Sequence, residues 1–529
     1  MSHFNWEFPY PSQRMPVLAA NVVATSQPLA AQAGLRMLLK GGNAVDAALA
    51  TAITLTVVEP TMNGIGSDAF ALIWDGTELH GLNASGRAPK AWSPSRFAGR
   101  DEMPFVGWDS ATVPGAVSGW VAMSERFGKL PFDALFEPAI EYAERGFPVS
   151  PTIARQWQLQ APLLLDQPGF ADAFLPNGRP PNAGELFRHP EQAKTLRMIA
   201  ETRGEAFYRG ILARAIAGAS LAQGGAMTEE DLASHRADWV APISQHYLGL
   251  DVHEIPPNGQ GIAALMALGI LSHLDHARTG VDSADSMHLQ VEAMKLAFAD
   301  VYRYVADPLA MKISAGNLLD PDYLRTRAAL IDRKRAQDFG PGVPKSSGTV
   351  YLTAADASGT MVSYIQSNYA GFGSGVVIPG TGISLQNRGA CFTLEAGHPN
   401  QVAPGKRPFH TIIPAFATKA GKALMSFGVM GGDMQAQGHM QMVVRLVDHQ
   451  QNAQAASDAA RWKITKENEL AVEHAVSAVT VAELARRGHQ VRQTERWSME
   501  FGSAQLIYRM DSGYLAASES RRDGQAVGY

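Results

Sequence analysis

Residues 349–392 read TVYLTAADASGTMVSYIQSNYAGFGSGVVIPGTGISLQNRGACF. A β-rich run opens the stretch, Asp-Ala-Ser-Gly follows at 356–359, and a second β-rich run reaches Asn368, which predicts strand, turn, strand. Gly-rich turns and further strands continue to about residue 430, and helix and strand then mix to the end. Immediately upstream, residues 336–348 (AQDFGPGVPKSSG) combine Pro, Gly and Ser without apolar period, which predicts an exposed linker ending at Gly348.

Residues 115–335 predict mainly helix. The clearest is DSMHLQVEAMKLAFADVYRYVADP, in which His288, Glu292, Lys295 and Ala299 share helical spacing and Asp307-Pro308 follows the end. Residues 27–58 predict two helices, parted by Gly41-Gly42, with Asn43 as the cap of the second and Glu59-Pro60 as its stop. IGSDAFALIWDGTELHGLNASG predicts strands about a turn at Asp75-Gly76. Helices before a strand-rich C-terminal part point to a layered α/β fold rather than a parallel Rossmann order.

Bulk properties narrow the function. Of 529 residues, 46% are hydrophobic and 18% charged, enough to bury a large core. Length alone suggests about three domains. The net charge of −5, with no long basic run, gives no nucleic-acid footprint. Cys391 is the only cysteine, so no disulfide forms within the chain. The opening MSHFNWEFPYPSQRMP lacks the pattern of a secretory signal, and the apolar run Ala47–Val58 is too short to span a bilayer. A soluble cytoplasmic protein without nucleic-acid or membrane partners is expected. His273 and His276 form no metal motif without a third ligand. Gly371–Gly375 lacks the strand-to-helix context of a dinucleotide loop. The aromatics of WEFPYP are expected to pack against the body. No metal or cofactor is expected.

Several segments in order resemble the γ-glutamyltransferase family. They are Gly41–Phe70 (GGNAVDAALATAITLTVVEPTMNGIGSDAF), Thr112–Trp120 (TVPGAVSGW), Ile255–Gly261 (IPPNGQG), His288–Pro308 and, most extensively, Thr349–Phe392. The resemblance implies an N-terminal-nucleophile hydrolase with a four-layer αββα sandwich. It also implies a precursor cut into a large subunit, 1–348, and a small subunit, 349–529, that stay together as one compact unit. Whether that unit forms a homo-oligomer is left open.

By the same resemblance Thr349 is the nucleophile, and its hydroxyl first attacks the Gly348 carbonyl. The peptide shifts to an ester, water cleaves it, and the freed α-amine, titrating near ~7.7, becomes the base. Gly348 has no Cβ to obstruct the attack. Ser367 falls where the family carries a hydroxyl beside the nucleophile. Gly431-Gly432 resembles its oxyanion-binding pair. His410-Thr411 aligns with a hydroxyl pair that holds the substrate carboxylate, and Arg87 lies two residues from the usual carboxylate-binding arginine place, which Ser85 fills.

The sequence departs from the transferases where they hold the substrate ammonium. An Asn, a Gln or Glu, and an Asp give way to Tyr369, Arg388 and Cys391. An ammonium facing Arg388 meets a like charge, whereas a carboxylate suits it. The segment between Cys391 and Lys406, where many transferases carry a lid loop, is also short. These departures point toward the acylases and small amidases of the family, oxamate amidohydrolase among them, and to small amides whose acyl part carries a carboxylate. Glutathione hydrolase or γ-glutamyltransferase activity, and an unprocessed inactive homologue, are the alternatives.

Overall fold

The computed structural model describes residues 13–339, 348–466, 468–496 and 498–529. The predicted strand-turn-strand at 349–369 is present as Gly348–Ala355 and Met361–Tyr369, paired antiparallel. The Asp356 carboxylate organises the turn between them. It accepts from the Ser358 N–H at 2.8 Å and from the Ala44 N–H at 2.7 Å, and Gly359 takes φ +96°.

This hairpin is central to a seven-stranded antiparallel sheet ordered Gln525–Gly528, Val22–Thr25, Gly348–Ala355, Met361–Tyr369, Asp68–Trp74, Leu79–Ala84 and Asp238–Val240. A second seven-stranded antiparallel sheet runs Val17–Ala19, Tyr514–Ala517, Ser503–Arg509, Lys422–Met430, Ala415–Lys419, Leu250–Glu254 and Ile243–Tyr247. The two sheets pack face to face through Phe70, Leu72, Tyr351 and Ile365 of the first and Phe416, Met430 and Ile507 of the second.

Helices cover both outer faces, so the architecture is a four-layer αββα sandwich. Helix Ala44–Val58 lies on the first sheet. Ala, Val, Ile and Leu dominate it on every side and every residue in it is buried, with the Thr51 and Thr56 hydroxyls bonded back to the Ala47 and Ile53 carbonyls. Asn43 caps it in a reciprocal box with Asp46, worth about 1 kcal/mol. Helices Gly261–Leu271, Ala284–Tyr304 and Met434–Val447 cover the second sheet.

The sequence reading missed Val17–Ala19 and Val22–Thr25, and it read residues 238–254 as helical where three short strands form. His273 and His276 do not share a helix: His276 bonds Asp448 and Ser286 instead. Residues 340–347 of the linker, and the WEFPYP aromatics, lie outside the described residues. Among the described residues, no helix is long and apolar enough to cross a membrane.

Candidate active site

Thr349 is fully buried one residue into its strand, at a break in register. Gly348 pairs with Tyr369 but Val350 pairs with Gln366, so Ser367 and Asn368 together face Thr349. This bulge re-aims the partner strand and brings the Ser367 hydroxyl to the nucleophile. Thr349 Oγ1 donates to Ser367 Oγ at 3.2 Å and accepts from Gln435 Nε2 at 3.4 Å. The Ile413 N–H, at 3.1 Å from Gln435 Oε1, fixes which way that amide faces. Just past the bulge, Tyr369 takes φ +78°, a left-handed conformation costly for an aromatic residue.

Arg388 binds the cluster together. Its Nη2 donates to Ser367 Oγ and its Nη1 to Thr411 Oγ1, each at 2.7 Å, and its guanidinium lies 4.8 Å from the centre of the Tyr369 ring. It is fully buried, and among the described residues its Nε has no hydrogen bond of good geometry. No carboxylate lies within ion-pair distance of it among the described residues. Burial pushes the Cys391 thiol above its usual range, against the pull of Arg388. Tyr369, Arg388, Cys391 and Thr411 thus come together beside Thr349 and Ser367.

Gly431 and Gly432 connect strand Lys422–Met430 to helix Met434–Val447 with φ of +127° and +66°. A Cβ on Gly431 would sit 2.9 Å from the Gly502 Cα, so only glycine fits. Gln260 Nε2 ties this turn to the pocket wall, donating to Gly432 O at 2.8 Å and to Thr411 O at 2.6 Å. Among the described residues, neither glycine N–H has a hydrogen-bond acceptor, which leaves both free for an oxyanion.

A model of the gamma-glutamyltranspeptidase family matches residues 30–529. The chain belongs to the gamma-glutamyltranspeptidase family. It is 38% identical over 516 residues to the glutathione hydrolase-like YwrD proenzyme of Bacillus subtilis, covering 96% of this chain and 98% of that one. It is 38% identical over 517 residues to the oxamate amidohydrolase proenzyme of Klebsiella pneumoniae, covering 95% and 97%. The crystal structure of a cephalosporin acylase from Bacillus halodurans superposes with a TM-score of 0.95 at 48% identity, covering 100% of this chain and 99% of that one.

Two expectations carried over from the family do not fit this geometry. Arg87 pairs with Asp307 at 3.3 Å and donates to the Gly405 carbonyl at 3.3 Å, and among the described residues it makes no hydrogen bond or ion pair to the Thr349 cluster. His410 has no capacity left for substrate: Nε2 binds Asp68 Oδ2 at 3.1 Å and Nδ1 faces the Ile412 N–H at 3.4 Å. Burial and the nearby Arg388 hold His410 far below its usual range, hence neutral.

Asp68, Gln260, Tyr302, Asp433 and Gln435 were not singled out in the sequence. Asp68 accepts from the Gly86 and Gly115 N–H groups, both at 3.0 Å, and burial pushes it up to about 7 despite the opposing pull of Arg388. Asp433 follows the glycine pair. It is buried beside Lys463 at 3.2 Å, and burial raises it to about 6. Its charge reaches Tyr302 and Tyr369, so an acid does stand near the pocket although Cys391 replaces the expected one.

Proposed function

We propose that the chain cuts itself between Gly348 and Thr349, giving a large subunit of residues 1–348 and a small one of 349–529. Thr349 then hydrolyses small amides whose acyl part carries a carboxylate. The observation that carries the substrate class is Arg388, a buried guanidinium two hydrogen bonds from the nucleophile, with no carboxylate within ion-pair distance among the described residues. A buried unpaired charge is costly, and a substrate carboxylate would supply the missing partner.

In the precursor the Thr349 hydroxyl attacks the Gly348 carbonyl carbon. The Gly348 C–N bond breaks as the ester forms, which frees the Thr349 α-amine, and water then opens the ester to release the Gly348 carboxylate and the Thr349 hydroxyl. In turnover that amine takes the hydroxyl proton as Oγ1 bonds the substrate carbonyl carbon. Gly431 and Gly432 N–H groups hold the oxyanion, and the proton passes to the departing amine. Water then attacks the acyl ester, releasing the carboxylic acid and restoring Thr349. Ser367 and Gln435 fix the hydroxyl, and Arg388 and Thr411 hold the far carboxylate. The oxamate amidohydrolase relative and the cephalosporin acylase neighbour support this class.

A second reading, hydrolysis of γ-glutamyl amides, is favoured by Asp433. Its carboxylate pairs with Lys463 at 3.2 Å and its charge acts on Tyr369 of the pocket wall, which puts an acid where a substrate ammonium would need one. Initial rates on oxamate, glutaryl and γ-glutamyl amides of one leaving group decide between them. Preference for acyl groups lacking the α-amine supports the first reading, and preference for γ-glutamyl overturns it.

A further inference from the structure

One cluster of four buried titratable side chains outside this chemistry comprises His288, Glu292 and Lys295 on helix Ala284–Tyr304, and His489 just past helix Ala478–Arg486. Their hydrogen bonds converge on the segment that leads to the cleavage site. Glu292 Oε2 accepts the N–H of Gln337 at 3.1 Å, and Lys295 Nζ donates to the carbonyl of the same residue at 2.5 Å. Both partners are main-chain groups, so the grip does not depend on the Gln337 side chain.

The rest of the quartet fits the same use. The Asp332 carbonyl can only accept, so His288 carries its proton on Nε2, 2.8 Å away. Its Nδ1 must then accept from His489 Nε2–H at 2.8 Å, and His489 Nδ1 is left with a lone pair and no donor. Both rings are neutral, as their depressed basicity in this buried setting requires. Further along, the Ala336 N–H binds the Arg487 carbonyl at 2.7 Å, and Phe339 packs near the Lys295 ammonium.

His288, Glu292 and His489 are also close enough to suggest a metal site. The protonation pattern argues against one: His288 uses both nitrogens on protein partners, and the cation beside Glu292 is Lys295 itself, 2.5 Å away.

We propose that this quartet is a clamp for the end of the large subunit. It holds residues 332–337 before cleavage and retains them afterwards, with Glu292 and Lys295 as positioning residues. The proposal rests on self-cleavage before Thr349 only for its second half. Arg333, Lys334 and Arg335 provide trypsin sites inside the clamped stretch.

The test compares processed wild-type protein, Thr349→Ala, and Glu292→Gln with Lys295→Met, under native limited trypsinolysis read by mass spectrometry. Wild-type and Thr349→Ala protein should resist cutting at 333–335 equally. The double variant should be cut about tenfold faster or more, because proteolysis follows the opened population and two charge-assisted bonds are gone. If the double variant does not fold, the wild-type comparison still decides. Rapid cutting at 333–335 in processed wild-type protein would overturn the clamp, as would a folded double variant with unchanged cutting or stoichiometric zinc in purified protein. Fragment masses report self-cleavage separately, so failure of that reading is told apart from failure of the clamp.

Discussion

Replacing Arg388 with Gln removes a buried cation beside Thr349 while keeping a polar side chain near Ser367 and Thr411. Oxamate and oxamide differ only in carrying a carboxylate or an amide beside the scissile carbonyl, so their ratio isolates the charge. Removing one partner of a buried, hydrogen-bonded pair costs roughly 2–4 kcal/mol. At 1.4 kcal/mol per tenfold, kcat/KM for oxamate relative to oxamide should fall about 30- to 1000-fold. Part of any loss will be common to both substrates, because Arg388 also donates to Ser367 and so helps place the nucleophile. The assay is initial-rate ammonia release, normalised to the cleaved fraction. If both substrates lose activity equally and the ratio is unchanged, Arg388 orients Ser367 and binds no carboxylate. Adding Cys391→Asp should then raise relative turnover of γ-glutamyl amides only if that side chain lines the pocket.

Gly431→Ala should lower kcat by about 10²- to 10³-fold in steady-state kinetics, because the turn would have to move and withdraw an oxyanion donor. Ser367→Ala should slow both self-cleavage, read on denaturing gels, and turnover, since Thr349 loses its acceptor and the Tyr369 N–H is left unpaired. Glu59 is buried against Ser26 and raised to about 7, mainly by desolvation. A raised acid favours the fold while protonated and loses that contribution as pH rises toward 7. The Tm of Glu59→Gln relative to wild type should therefore increase from pH 5 to pH 8, and a flat or falling difference would contradict the assignment.

The hairpin 348–369 was legible because its β-rich runs and its turn lie together in sequence, and Ala44–Val58 because its cap, stop and apolar run are local. Val22–Thr25 was not, since it is a strand only through pairing with residues 352–355 and 525–528. The strands at 238–254 are short: Asp238–Val240 is a strand only through Leu79–Ala84, and the Ile243–Glu254 hairpin joins its sheet only through Ala415–Lys419. The same division runs through the site. The grouping of Tyr369, Arg388 and Cys391 could be read by counting from Thr349, because one strand and the following loop carry them. Asp68, Gln260, Tyr302 and Gln435 come from separate elements that meet only in the folded sandwich. The Arg87 pairing was out of reach for a related reason: its partner Asp307 lies 220 residues away. Asp433 likewise lies beyond any count from the nucleophile, so an acid near the pocket was missed.

The central claim is that Thr349 becomes a free N-terminal nucleophile by cutting the chain before itself. Denaturing intact-mass analysis of freshly purified wild-type and Thr349→Ala protein tests it. The account predicts two wild-type chains, of 348 and 181 residues, with the smaller beginning at Thr349, and a single 529-residue chain for the variant. An uncut wild-type chain after long incubation, a new N-terminus other than Thr349, or cleavage of Thr349→Ala at the same bond would contradict it.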